Sequence, residues 1–327
     1  MGANFPDTET LRSALALANR APSVHNTQPW YWRVGGHSLH LYANPDLLLP
    51  HTDPDRRDLI LSCGAVLNHC VVALAALGWQ SKIHRCPNPA DADHLASLQL
   101  HRYPAGELDV TLAAAIPRRR TDRRHYSSWP VPRGDIALMG ARAARAGVLL
   151  RRVDDLAHLK RLVTEAALAH GTDQEYLAEL AAWSGRYASA AGVPARSVPG
   201  SNGTSRIPAR AFAGGVLTQT EAAEDNAVVI ALGTVDDDRL AWLRAGEATS
   251  LVLLTATALG LASCPITEPL EIAGTREALR EDVFGDDGYP QMLLRVGWAP
   301  INADPLPATP RRPLADVVAH LDGSPLD

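Results

Sequence analysis

Five arginines fall within seven residues in the stretch RRRTDRR, Arg118 to Arg124. Guanidinium groups donate in a rigid fork that meets two oxygens at once, so such a cluster suits a phosphate monoester. Thr121 and Asp122 could cap the helix or turn that follows. The competing use of the same residues is a solvated basic turn joining two parts of the chain. A second basic pair, Arg311 and Arg312, sits in TPRRPL, where flanking prolines hold the backbone extended. Near the other end, RAPSVHNTQPW, Arg20 to Trp30, packs Ser23, His25, Asn26 and Gln28 between two prolines. That is a dense set of hydrogen-bonding side chains for a segment that ends one helix and opens a strand.

Other chemistries find little support. The twelve histidines include no HxxxH or HExxH pair, so no metal site is expected. No GxSxG, GxxxxGK[ST] or GxGxxG occurs, which argues against a nucleophile elbow, a P-loop and a Rossmann dinucleotide site. Cys63, Cys70, Cys86 and Cys264 form no CxxC pair and read as small core residues in a reducing compartment. With a net charge of −5, no nucleic-acid partner is expected. No apolar run approaches the roughly 18 residues of a membrane span, and the start lacks the basic region and apolar core of a signal peptide. The expectation is a cytoplasmic protein with no membrane partner.

The elements that must position these residues follow from periodicity. Asp7 to Asn19 carries Leu11, Leu15 and Ala18 at helical spacing, with Asp7 or Thr8 as cap. Trp30–Val34 and Leu39–Tyr42 flank Gly35-Gly36 and read as a hairpin. Asp55 to Leu77 and Asp238 to Leu259 are long helices apolar on nearly all sides, hence central. Further helices are predicted at Asp135–Ala146 and Asp155–His170. Strands are predicted at Ser81–Arg85, Leu95–His101, Val148–Val153, Ala227–Gly233 and Gln291–Val296. Helices mixed with antiparallel hairpins indicate an α+β layer architecture. The two long helices also echo one another: at a constant offset of 182, Asp55/Asp237, Arg57/Arg239, Leu61/Leu243, Gly64/Gly246, Ala76/Ala258, Leu77/Leu259 and Gly78/Gly260 are identical pairs. Residues 184–226 break the pattern with six glycines, three prolines and five serines, as either a disordered linker or a cover over a site.

Taken together the motifs resemble the FMN-dependent nitroreductase family. RAPSVHNTQPW is similar to its APSxxNxQPW signature, and RRRTDRR to its RRSxRxF motif. Leu243 to Ile266 is similar to its central helix with the GL and PI ending, and Gln291 to Val318 to its closing strand and basic tail. RAPSxHNxQPW and PRRP together resemble the mycobacterial Acg-type subgroup in particular. In ordinary family members one subunit carries both signatures and FMN lies between two subunits. Here APSVHNTQPW stands alone in one half and RRRTDRR opens the other. The resemblance therefore implies a nitroreductase-like fold of two fused halves, 1–112 and 113–327, with mixed and antiparallel sheets around central long helices. Such a chain would be a monomer acting as a pseudo-dimer, with one complete FMN site.

Carried over residue by residue, Arg119, Arg311 and Arg312 would hold the phosphate and Arg123 would reach the pyrimidine edge of the flavin. Thr121 would line the site, and Pro22, Ser23, His25 and Asn26 would come from the opposite half, Ser23 and Asn26 bonding the ribityl chain or ring. In the segment Pro265, Ile266, Thr267 and Glu268, the N–H of Thr267 or Glu268 would approach N5. Gln28 and Trp30 would order the loop. Val24 and His25 replace smaller polar residues of the family, and the 184–226 insertion would be a lid. Two functions follow from the resemblance. One is an oxidoreductase passing hydride from NAD(P)H through FMN to a nitroaromatic or quinone. The other is an FMN storage protein with the lid closed and little turnover.

Overall fold

The computed structural model describes residues 5–186, 189–200, 207–218, 225–300 and 303–326. Asp7 accepts a hydrogen bond from Thr10 N at 2.8 Å and so caps α1 (Thr8–Ala18), which turns Leu11, Ala14, Leu15 and Ala18 inward. The hairpin follows as β1 (Trp30–Val34) and β2 (Ser38–Ala43), then α2 (Arg57–Ala76), β3 (Trp79–Arg85), β4 (His94–Arg102) and α3 (Glu107–Ala115). After an irregular stretch come α4 (Arg133–Arg145), β5 (Leu149–Arg152), α5 (Leu156–Thr172) and α6 (Gln174–Trp183). The short strands β6 (Ser184–Arg186) and β7 (Val193–Pro194) lie within the 184–226 insertion. The chain continues through β8 (Val228–Thr234), α7 (Arg239–Ala258), β9 (Ala262–Ile266), α8 (Glu268–Glu271), α9 (Ala273–Val283), β10 (Tyr289–Gly297) and β11 (Val318–His320).

Two main sheets result, one in the order β11-β1-β2-β4-β3 and one in the order β5-β8-β10-β9. Every pair is antiparallel except β1 with β11, so the closing segment of the chain adds a strand to the N-terminal sheet. Between the sheets α2 and α7 pack against one another. By length and composition α2 is apolar enough to cross a membrane, contrary to the expectation that no such run exists. It is instead a core helix, because 78% of its most apolar window is buried by other elements of the fold.

The contact between α2 and α7 is reciprocal. A Cβ placed on Gly64 would meet Leu243 O at 2.1 Å, and one placed on Gly246 would meet Leu61 O at 2.1 Å. Only glycine permits so close a backbone approach. Gly78 and Gly260 end the two helices with φ of +82° and +83°, the left-handed stop that lets a strand follow at once.

Several elements carry no clear pattern in the sequence. In α3 only Leu112 and Ala115 are buried, too few for a periodic stripe, and α6 buries only Tyr176 and Leu180. Strand β11 has three residues and exists because it pairs with β1. The insertion is not structureless where described: Val193, Ala195, Val198 and Ile207 are buried, and Pro199 bridges Leu217.

Candidate functional site

The loop after α1 holds an unusual backbone. His25, Asn26 and Gln28 have φ of 45°, 55° and 54°, a region that costs L-residues of this size about 1 kcal/mol or more each. Hydrogen bonds offset the cost. Ser23 Oγ accepts from Gln28 N at 2.9 Å, and Ser62 Oγ of α2 accepts from Val24 N at 3.1 Å. Asn26 Nδ2 donates to Gly192 O at 3.0 Å while its Oδ1 accepts from Arg311 Nη1 at 3.0 Å. Gln28 Nε2 donates to Ala190 O at 2.9 Å and its Oε1 accepts from Arg312 N at 2.8 Å. Trp30 Nε1 donates to Asn19 Oδ1 at 2.9 Å beneath them. The polar density of this stretch thus binds together α2, the insertion and the C-terminal tail.

Beside this loop lies a cleft enclosing about 1070 Å³, including its opening to solvent. Pro22, Ser23 and His25 line one wall, with Asp58, Ser62 and Ala65 of α2. Thr121, Arg123 and the run Pro265, Ile266, Thr267 and Glu268 line another. Nine of the thirteen residues singled out from the sequence therefore face this cleft, and Asn26, Arg119, Arg311 and Arg312 do not.

Arg119 and Arg311 meet behind the loop. Both donate to Arg20 O, Arg119 Nη2 at 3.4 Å and Arg311 Nη2 at 2.9 Å, and Arg311 also reaches Ala21 O at 3.0 Å. Neither guanidinium has a carboxylate partner among the described residues. Arg119 Nε and Nη1, Arg20 Nε and Arg311 Nε are buried without a hydrogen-bond acceptor among the described residues. Burial, then Arg120 and Arg20, lowers the Arg119 guanidinium to about 10; burial, then Arg119, Arg20 and Arg120, takes Arg311 well below its ordinary value. Buried like charges with idle donors mark an anion site, since proteins rarely leave such groups unpaired. Arg20 belongs to this cluster and was passed over in the sequence, although it directly precedes the APS motif. Arg312 stands outside it, donating to Gln28 O at 3.4 Å and Asp316 O at 3.2 Å.

RRRTDRR opens no helix, because α4 begins only at Arg133. Asp122 instead caps a turn, accepting from Arg124 N at 3.0 Å and pairing with the Arg124 guanidinium at 2.8 Å. That carboxylate neutralises Arg124, whereas Arg123 stands at the cleft wall with its Nη1 donating to Ser197 O at 3.2 Å.

The insertion lines the cleft with Ile207, Pro208, Ala209, Arg210 and Phe212, of which Arg210 and Phe212 meet the other walls. Arg210 Nη1 donates to Tyr176 OH at 2.7 Å and to His25 Nε2 at 3.1 Å. Its Nη2 donates to Thr267 Oγ1 at 3.1 Å and Glu271 Oε1 at 2.5 Å. Phe212 meets His25 edge-on, centroids 5.6 Å apart, and the Arg123 guanidinium lies 4.9 Å over its ring. Burial first, then Arg210, Arg123 and His170, holds the His25 imidazole neutral, its pKa well below the usual range. Val216 is 58% exposed and Tyr187 lies outside the described residues. No local sequence signal marks Arg210, whose four partners come from three separate segments.

The Nitroreductase family model matches residues 116–298, more than half of the chain. The chain belongs to the nitroreductase family. The Mycobacterium tuberculosis protein named "Putative NAD(P)H nitroreductase Rv3131" is 64% identical over 321 residues, covering 97% of this chain and 93% of that one. "Putative NAD(P)H nitroreductase acg" of the same organism is 37% identical over 323 residues, covering 95% of each. Among solved structures, a "putative nitroreductase" from Anabaena variabilis superposes with a TM-score of 0.55 over 91% of this chain and 90% of that one, at 10% identity. The fold is therefore the α+β nitroreductase fold, as the motifs imply.

Proposed function

We propose that the chain binds one FMN and acts as an NAD(P)H-dependent oxidoreductase with a nitroaromatic or quinone acceptor, its segments 1–112 and 113–327 serving as the two halves of a fused pseudo-dimer. One observation carries the reading: a cleft lined from both segments is accompanied by buried arginines with idle N–H donors and, among the described residues, no carboxylate partner. A phosphate monoester fits those donors, because its oxygens accept the charge-assisted bonds for which the described residues offer no acceptor. Arg119, Arg311 and Arg20 would hold it. Bound FMN would supply the hydride-transfer chemistry. The protein's share is to bind, orient and cover. Ser62 and Ser23 fix the Val24–Gln28 turn, Arg123 brings positive charge to the cleft wall, and the backbone at Thr267 and Glu268 offers N–H groups beside it.

A single site per chain is supported by what stands at the 182-residue offset from the cleft. Ala65 and Thr267 line the cleft, and their counterparts are Glu247 and Arg85. Arg85 Nε donates to Glu247 Oε2 at 2.6 Å and Nη2 to Oε1 at 2.9 Å, a bidentate ion pair at the positions equivalent to two cleft-lining residues.

FMN storage is the second reading, and the seat of Arg210 favours it. Four hydrogen bonds hold this side chain of the insertion inside the cleft, where a nicotinamide would need room. Two measurements separate the readings: absorbance of released flavin against protein concentration, and steady-state turnover with NADH and NADPH over nitroaromatic and quinone acceptors. One FMN with turnover supports the oxidoreductase, and one FMN without turnover moves the function to storage. Two FMN per chain would overturn the single-site proposal, and no FMN would overturn both readings.

A further inference from the structure

The face of α2 that lines the cleft carries Asp58, Ser62 and Ala65, and it continues to His69, one turn and about 6 Å beyond Ala65. His69 is wholly buried. Its Nδ1 lies 2.7 Å from Ser250 Oγ and 3.1 Å from Ala65 O. Ser250 gives its one hydroxyl hydrogen to Asn68 Oδ1 at 2.7 Å, and a carbonyl oxygen only accepts, so Nδ1 must carry the ring hydrogen. Nε2 is then a bare lone pair, buried and without a partner among the described residues.

The charged groups acting on this ring are Arg119, Arg311 and Arg20, the guanidiniums whose own donors are idle. Burial first and these charges next keep the imidazole neutral, its pKa well below the usual range. A phosphate dianion would satisfy the arginines but set an oxygen lone pair against Nε2. With one proton between them, every idle group is used: the four N–H donors of the three arginines, the phosphate oxygens and the ring nitrogen.

Resting on the FMN reading above, we propose that His69 is a ligand of the phosphate end of the site, and that the phosphomonoester binds with one proton shared between a phosphate oxygen and His69 Nε2. The proton comes from solvent. Above the second phosphate pKa of about 6 the free ligand is a dianion, and free His69 is neutral, so the complex holds one proton more than its components. By linkage, FMN affinity falls about tenfold for each pH unit above about 7, while riboflavin, which has no phosphate, shows no such dependence.

The test is calorimetric titration of the full chain with FMN and with riboflavin at pH 7.5, in two buffers of different ionisation enthalpy, alongside His69→Asn. Asparagine keeps a donor toward Ser250 and deletes Nε2. Expected are uptake of about one proton with FMN and none with riboflavin, abolition of that uptake in His69→Asn, and a loss in FMN affinity of about tenfold with riboflavin unchanged. FMN binding without proton uptake, or His69→Asn retaining both uptake and affinity, overturns this inference and leaves the FMN reading intact. Failure of the unaltered chain to bind FMN overturns the cofactor reading, and this inference with it. Should His69→Asn not fold, the ³¹P shift of FMN bound to the unaltered chain decides. A shift that tracks the free dianion from pH 6 to 8 overturns the inference, and one that stays protonated or hydrogen-bonded beyond the free pKa supports it.

Discussion

Gly64 and Gly246 face each other across the contact between the two central helices, each Cα 2.9 Å from where the other's Cβ would stand. They are also partners in the 182-residue echo. In a two-fold interface residue i meets j while j meets i, and Leu61 O against Gly246 with Leu243 O against Gly64 has this reciprocal form. Gly64→Ala or Gly246→Ala should each cost about 3 kcal/mol, because the methyl group meets backbone that cannot yield without parting the helices. The double variant should cost less than the sum, since one separation accommodates both. Gly36→Ala, with open space around it, should stay within about 0.5 kcal/mol. Urea unfolding of the parent and the four variants checks this; a wild-type midpoint for Gly64→Ala would disprove the close contact.

The arginine cluster makes a selective prediction. Arg20→Ala and Arg119→Ala should each weaken FMN about tenfold or more while barely changing riboflavin, since charge-assisted bonds are worth roughly 1.5 to 3 kcal/mol. Arg312→Ala should affect the two ligands alike, because that side chain holds Gln28 and Asp316. Fluorescence titration with both flavins is the measurement, and equal losses for Arg119→Ala would place the phosphate elsewhere.

Arg210 supplies the test of cover. Replacing it by alanine removes hydrogen bonds to Tyr176, His25, Thr267 and Glu271 at once. Stopped-flow reduction of bound flavin by NAD(P)H should speed up at least tenfold in Arg210→Ala, whereas reduction by the small dithionite ion should hardly change. A rate identical to the parent's would end the idea that this segment governs access.

Acid stability should depend on Asp237. Burial works to raise its carboxyl, but hydrogen bonds from Arg276, Gln291 and Trp242 and the Arg276 charge prevail and hold it at about 2. A pKa lowered in the folded state adds stability that is complete above about pH 4 and is lost as pH falls through about 2. Because the group is partly exposed, its contribution at neutral pH is discounted to about 1 kcal/mol. The unfolding free energies of the parent and Asp237→Asn should therefore differ at pH 6 and converge toward pH 2. A gap that is constant with pH would assign the effect to packing.

The helix stops at Gly78 and Gly260, the arginine run and the APS segment could be read from the sequence because their chemistry is local: a stop of this kind favours glycine whatever surrounds it, and apolar residues on all sides make a central helix. Gly64 and Gly246 stand there only as an identical pair, and their close contact belongs to the packing of the two helices. The same local reading missed α3 and α6, whose few buried residues leave no stripe, and α2 passed unnoticed as a potential span because Ser62, Asn68 and His69 interrupt its apolar run. Which arginines gather was beyond it. Arg312 looked equivalent to Arg311, yet the tail runs extended past the loop, so adjacent side chains diverge and Arg20 takes the place beside Arg119 and Arg311. Arg210 gains its meaning from Tyr176, His25, Thr267 and Glu271, and His69 from Ser250 and Asn68, partners brought close only by the packing of α2 on α7 and the fold of the insertion. Sequence settles what each residue can donate, accept or bury; tertiary structure decides which of those capacities are met and which are left for a ligand.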